Sequence, residues 1–174
     1  MTAANLVPEI GDEQLWKIMS EAEDLGLGFE LTEQGIVWEA MPGKRHQVLS
    51  FTIASSIHSG GAGDRCDCFQ ARDVYIRFSR RVVKRPDISV FCREPQEEED
   101  FIHSIPEAVI EITSPDSEGK DLVSGPPIYL ANGVKDVLVL QRSQNLVHHW
   151  TLAGSRVLSS PTTVTLQCGC VVTL

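Results

Sequence analysis

Residues 84–133 read KRPDISVFCREPQEEEDFIHSIPEAVIEITSPDSEGKDLVSGPPIYLANG. Two short apolar runs in this stretch each carry one acidic residue where a half-buried strand would not put it. Asp87 stands at the start of Ile88-Ser89-Val90-Phe91. Glu111 stands inside Ala108-Val109-Ile110-Glu111-Ile112-Thr113. A carboxylate in an apolar, β-rich run is costly unless it is paired, hydrogen-bonded or bound to a metal. Two of them on strands that pair would make a site for a hard divalent cation.

The near-continuous apolar character of Ala108–Thr113 predicts a central strand covered on both faces, and Val134–Leu140 reads as another buried strand. Upstream, Asp12 is placed to cap a helix carrying Leu15, Ile18, Met19 and Ala22 at helical spacing. Phe29–Thr32 and Ile36–Ala40 read as a hairpin around Thr32-Glu33-Gln34-Gly35. His46–His58 has the pattern of an amphipathic core helix. Cys66–Phe78 alternates as strands. Downstream, the segment Glu118–Pro127 is poor in helix formers, yet Tyr129-Leu130-Ala131 fits a helix closed by Gly133. Val147–Leu152 and Arg156–Leu158 form a late hairpin, and Val164–Leu166 with Cys170–Leu174 are placed to close the sheet edge.

The chain has 174 residues, 42% apolar and 22% charged, which suits one domain with a sizeable core. We read residues 1–11 as an N-terminal arm and 12–174 as a single domain. No apolar run approaches the roughly 18 residues of a membrane span, and the N-terminus has no basic region followed by a long apolar one. The expectation is a cytoplasmic protein with no membrane partner.

The net charge of −9 argues against non-specific attraction to DNA or anionic membranes. Its distribution is uneven. Glu94, Glu97, Glu98, Glu99 and Asp100 form an acidic run that reads as a solvated loop. Arg72, Arg77, Arg80, Arg81, Lys84 and Arg85 precede Asp87, either as a basic face near the site or as the solvent side of a hairpin.

The five cysteines include two C-x-C pairs, Cys66/Cys68 and Cys168/Cys170, besides Cys92. On strands, each pair would share a face, and four thiols that met could hold zinc or form disulfides. The usual zinc spacing is C-x2-C, and a cytosolic setting keeps thiols reduced. The expectation is reduced, buried thiols acting as small apolar residues, without zinc.

An ordered set of motifs carries a resemblance. It runs Phe29-Glu30-Leu31 with Gly35; His46-Gln47; Pro86-Asp87; Pro106 to Pro115 with Glu111 inside it; and Tyr129-Leu130-Ala131-Asn132-Gly133-Val134 before a Val-rich strand. Over about residues 12 to 174, the chain resembles a large bacterial family of restriction endonucleases with the PD-(D/E)XK nuclease fold. The resemblance implies an α/β (α+β), restriction-endonuclease-like fold, a central mixed β-sheet flanked by helices. It implies a Mg2+- or Mn2+-dependent endonuclease acting on DNA, with Asp87, Glu111 and the carbonyl of Ile112 holding the metal. The metal would make a bound water more acidic and stabilise charge on the phosphate.

One part of the motif departs from the family. The position two residues after Glu111 is Thr113, not lysine. The family's alternative lysine position, four residues before Tyr129, is Gly125. Lys120 is the nearest replacement, through a rearranged loop. The other reading is a degenerate nuclease-fold domain that binds nucleic acid or a protein partner. Glu30 is either a third metal ligand or an exposed strand residue. His46 either orients a phosphate or belongs to the helix cap, and Gln47 is similar. His148 and His149 read as a strand pair, one in and one out. Analogy with other nucleases of the fold raises a homodimer.

Overall fold

The computed structural model describes residues 10–61, 66–96, 101–114 and 119–174. Its elements in order are α1 (Asp12–Asp24), β1 (Leu27–Thr32), β2 (Gly35–Ala40), α2 (Lys44–Ser55), β3 (His58–Ser59), β4 (Phe69–Ala71), β5 (Ile76–Ser79), β6 (Val82–Lys84), β7 (Ile88–Phe91) and β8 (Ala108–Ile112). A π-helical turn (Lys120–Ser124) leads into α3 (Gly125–Ala131), followed by β9 (Asp136–Gln141), β10 (Leu146–Thr151), β11 (Gly154–Ser159), β12 (Thr163–Thr165) and β13 (Cys170–Thr173).

The main sheet has the order β11-β10-β9-β8-β7-β4. β8 lies inside it, parallel to β9 and antiparallel to β7, so the sheet is mixed. All five residues of β8 are buried, as its unbroken apolar run predicts. Its two faces serve different cores. Ala108, Ile110 and Ile112 pack with Ile53 and Ala54 of α2 and with Val164 and Val172 of β12 and β13. Val109 points the other way, toward Tyr129 of α3 and Val137 and Val139 of β9. Strand alternation then puts Glu111 on the Tyr129 face.

A second sheet, β2-β1-β6-β5, grows from the expected hairpin, whose turn is held by Thr32 Oγ1 donating to the Gly35 carbonyl. Leu15, Met19 and Ala22 of α1 cover it, against Phe29, Leu31, Tyr75 and Phe101. Burying each large side chain there contributes roughly 1.5–3 kcal/mol. Arg85-Pro86-Asp87 carries the chain from β6 into β7, which sets Asp87 where the two sheets meet.

Several expectations are corrected. Asp12 is not the cap of α1; Gly11 is, and Asp12 is the first helical residue, paired with Arg77 at 3.0 Å. α2 buries Ser50, Ile53 and Ala54, while Val48 and Phe51 are exposed. The Arg72 guanidinium lies 5.3 Å from the centre of the Phe51 ring. β12 and β13 do not close the main sheet; they form a separate sheet in the order β12-β13-β3. Gly133 does end α3, with φ +98° and the Val134 N–H donating to the Tyr129 carbonyl, the left-handed closure that glycine permits.

The cysteines are not isolated strand fillers. Cys66 is joined to Cys92 and Cys68 to Cys170 as disulfides, which leaves Cys168 as a free thiol and overturns the expectation of reduced thiols. The cause lies in the backbone. Cys66 and Cys68 precede β4 in irregular chain, and Cys68 itself has φ +52°, so the pair does not follow strand geometry. The arm up to residue 9 and acidic residues 97–100 fall outside the described residues, as do 115–118. Among those described, no helix is long and apolar enough to cross a membrane.

Candidate active site

Asp87 and Glu111 come together because β7 and β8 pair with Ile88 opposite Ile110. One step outward in that antiparallel register, Asp87 faces Glu111. The two residues interlock. The Asp87 N–H donates to Glu111 Oε2 at 3.2 Å, and the Ile112 N–H donates to Asp87 Oδ2 at 2.7 Å. His46, in the first turn of α2, meets Asp87 Oδ1 through Nε2 at 2.7 Å. Tyr129 O–H donates to Glu111 Oε1 at 2.5 Å.

The electrostatics follow from this crowding. Burial pushes the Glu111 carboxyl well above its ordinary value near 4.5, and the neighbouring Asp87 and Asp121 charges push the same way. Tyr129 is raised too, first by burial and then by Glu111. The His46 imidazole is held above its usual value by its bond to Asp87, which outweighs the opposing effect of burial.

A second cluster lies beside the first. Glu30 of β1 is 1% exposed. Its Oε2 accepts from Lys84 and, at 3.1 Å, from Lys120 Nζ; its Oε1 accepts the Arg85 N–H at 2.9 Å. Burial alone would raise the Glu30 carboxyl, but Lys84, Lys120 and the Arg85 amide together hold it below its ordinary range. Glu30 is therefore not an exposed strand residue, and it shares the lining of a small pocket with Asp87. It anchors two lysines.

Lys120 begins the π-helical turn. Besides Glu30, its ammonium meets Glu39 of β2 and lies 3.7 Å from Asp121. Burial would lower its pKa, but Glu30, Glu111, Glu39 and Asp121 outweigh that and carry it above the ordinary lysine value. The ammonium thus stays charged. At Gly125, an added Cβ would lie 3.2 Å from the Lys120 carbonyl and 3.7 Å from the Tyr129 ring, so a side chain there is crowded by the turn that presents Lys120.

These groups line a cleft of about 660 Å³. Asp87, Glu111, Ile112 and Lys120 all border it, with Lys44, Arg45, His46, Arg85 and Arg142 around them and Trp38 and Met41 at its wall. Each predicted site residue thus reaches one place. The basic run before Asp87 does not form one face: Arg77 and Lys84 are buried in ion pairs, while Arg85 joins Asp73 at 2.9 Å and Glu23 at 3.2 Å. His46 does not cap α2, since Gly43 does; its imidazole binds Asp87 and lines the cleft. Gln47 holds Asp73 at 3.1 Å. His148 and His149 split as expected, His149 buried against Asp136 at 2.7 Å and His148 bonded to Gln141.

Sequence reasoning placed Lys84 in a basic run near the site but not as the partner of Glu30, and it missed Tyr129 and Arg142 as parts of this neighbourhood. A signal existed for Tyr129, which opens the last motif of the resemblance. Arg142 follows β9 and carries none.

The profile of the Uma2 family, described as "Putative restriction endonuclease", matches residues 19–168. The chain belongs to the Uma2 family. A crystal structure of a putative nuclease from Anabaena variabilis superposes with a TM-score of 0.64 at 19% sequence identity, covering 89% of this chain and 88% of that one. At that identity the likeness speaks for the fold, which is restriction-endonuclease-like. No curated protein matches the chain. The residues matched include Glu30, Asp87, Glu111, Lys120 and Tyr129.

Proposed function

We propose that this Uma2 chain is a Mg2+- or Mn2+-dependent endonuclease that hydrolyses DNA phosphodiester bonds. The observation that carries the reading is the interlocked pair Asp87–Glu111 at the floor of a cleft rimmed by basic side chains.

The donor set fits a hard cation. Asp87 and Glu111 offer carboxylate oxygens, Ile112 adds a backbone carbonyl next in the chain, and the open cleft leaves room for the waters that Mg2+ retains. Burial, with the neighbouring Asp87 and Asp121 charges, raises the Glu111 carboxyl by more than Lys120 lowers it, as expected of two acids sharing one buried place. Such an ion supplies an acidified water and stabilises charge on the phosphate.

The chain's own residues do the rest. Lys44, Arg45 and Arg142, exposed at the cleft mouth, hold the phosphate backbone. Lys120 presents a charged ammonium toward the reacting group, positioned by Glu30 and Glu39. Lys84, 1% exposed, does not reach substrate and keeps Glu30 ionised. Tyr129 and the Ile112 N–H fix the two carboxylates.

A specific observation favours a second reading. The Lys120 ammonium is already surrounded by Glu30, Glu39 and Asp121, which fits a chain that binds metal and DNA without cutting. Incubation of supercoiled plasmid and linear DNA with Mg2+ or Mn2+ separates the two. Cleavage by the parent, lost in Asp87→Ala, Glu111→Ala and Lys120→Met, supports the nuclease. DNA retention without cleavage supports the binding domain.

A further inference from the structure

All five cysteines converge at the end of β7 opposite Asp87. Cys66 and Cys68 precede β4, Cys92 follows β7, and Cys168 and Cys170 flank Gly169 at the entry to β13. The sulfurs of Cys66, Cys68 and Cys170 all lie within 4.8 Å of one another, and so do those of Cys66, Cys92 and Cys168. The two joined pairs are themselves in contact, with Cys66 Sγ 3.3 Å from Cys170 Sγ.

We propose that this cluster is a zinc site when its thiols are reduced, with Cys66, Cys68, Cys92 and Cys170 as ligands and Cys168 beside it. Two disulfides that merely stapled the chain would have no need to touch, whereas one ion needs its four sulfurs contiguous. Four thiolates about 2.3 Å from a tetrahedral zinc stand roughly 3.8 Å from each other; Cys66, Cys68 and Cys170 already lie within 4.8 Å of one another, and Cys66 links Cys92 to that group. An all-sulfur set selects a soft or borderline ion over Mg2+. Cys66, Cys68 and Cys170 are buried, which fits the closed shell of a structural site rather than an open catalytic one.

The backbone is shaped for convergence. The Asp67 N–H donates to the Cys92 carbonyl at 2.8 Å, tying the first C-x-C segment to the end of β7. Cys68 adopts φ +52° and Gly169 φ +91°. A left-handed cysteine is uncommon and marks a position held by its surroundings. The Gly169 turn is closed by its N–H on the Leu166 carbonyl and by the Leu166 N–H on the Cys170 carbonyl. Each C-x-C segment therefore bends instead of running straight.

The disulfide-joined arrangement is the oxidised form of the same set. Reducing it takes two electrons and two protons per S–S bond, supplied by a phosphine or dithiol reductant, and yields four thiols. Zn2+ then displaces the thiol protons as it binds. Five residues along an extended strand separate Cys92 from Asp87, roughly 17 Å, so the ion sits apart from the candidate active site. Its role is to tie the segment before β4, the end of β7 and the start of β13 into one unit.

The test is metal content of the full chain purified under a phosphine reductant from zinc-supplemented cells. One zinc per chain is expected, and Co2+ exchanged for it should give the strong visible absorption of a tetrahedral thiolate complex. Cys68→Ser and Cys170→Ser should drop the content to none. Cys168→Ser and Asp87→Ala should keep it, the latter separating this site from the carboxylate pair. The cobalt spectrum of the parent reports on sulfur ligation even where a cysteine variant fails to fold. A reduced parent with no zinc and no cobalt–thiolate absorption overturns the proposal, as does zinc lost from Cys168→Ser or retained by Cys68→Ser.

Discussion

Replacing Lys84 with methionine tests the reading that Glu30 is a buried anchor for lysines. Both side chains of the Lys84–Glu30 pair are 1% exposed, so water screens the pair little. Methionine keeps the apolar stem of Lys84, including its packing near Tyr129, whose ring centre lies 5.6 Å from the ammonium. What is lost is the charge. Removing one partner of a buried pair costs about 3–5 kcal/mol, because the other charge is left uncompensated.

Glu30 would retain Lys120 Nζ and the Arg85 N–H, so the low end of that range applies, about 3 kcal/mol. For a domain of this size each kcal/mol moves Tm by roughly 2–4 °C, which gives a fall of about 6–12 °C for Lys84→Met. Glu30→Gln combined with Lys84→Met removes both charges, and the double variant should recover most of the loss. The assay is thermal and urea unfolding of the parent, both single variants and the double variant. A loss under about 1 kcal/mol, the value of a solvent-exposed pair, would refute the argument, and so would a double variant no more stable than Lys84→Met.

Mg2+ or Mn2+ should stabilise the parent through linkage, by about 2.7 kcal/mol at a hundred times Kd, or roughly 5–11 °C in Tm; Asp87→Ala and Glu111→Ala should show no such gain in the same melts. The pH dependence has a definite sign. Glu111 binds its proton more tightly folded than unfolded, so its contribution is fully present below about 4.5 and is lost as pH rises through the raised value. Metal-free parent should therefore lose stability with rising pH in that window relative to Glu111→Gln, and parallel curves in pH-resolved urea titrations would contradict the assignment. Gly125→Lys, which places a lysine where the resemblance implies one, should lower Tm and leave plasmid cleavage unimproved, because its Cβ meets the Lys120 carbonyl; improved cleavage at unchanged Tm would show that the turn yields.

The central strand was legible in the sequence because burial on both faces leaves an unbroken apolar run, and β8 has one. The same run exposed Glu111 as an exception, and Asp87 stood out beside it for the same reason. The Thr32–Gly35 turn was equally plain, since a tight hairpin depends on local residues. The face of α2 was not. Apolar periodicity shows which side chains could be buried together but not what lies opposite, and here small Ser50 and Ala54 take the interface while Phe51 stays out under Arg72. The cysteine cluster was hidden for a related reason. Its geometry rests on left-handed backbone at Cys68 and Gly169 and on contacts as far as 104 residues apart, and spacing along the chain encodes neither.

The lysine illustrates how a local rule can be right and its consequence wrong. Gly119, Gly125, Pro126 and Pro127 do make residues 118–127 poor in helix formers. But prolines in the first turn of a helix cost no hydrogen bond, because those N–H groups have no partner inside the helix. α3 therefore begins at Gly125 with both prolines in that turn. The residues before it wind wider, and the Gly125 N–H reaches back five residues to the Lys120 carbonyl, the mark of a π turn, a form found often at functional sites. That wider winding swings Lys120 over Glu30 and Glu39 and crowds the space at Gly125. The Gly-Pro-Pro sequence that stands where the resemblance implies a lysine is thus the same feature that presents another, five residues earlier, to the same cleft.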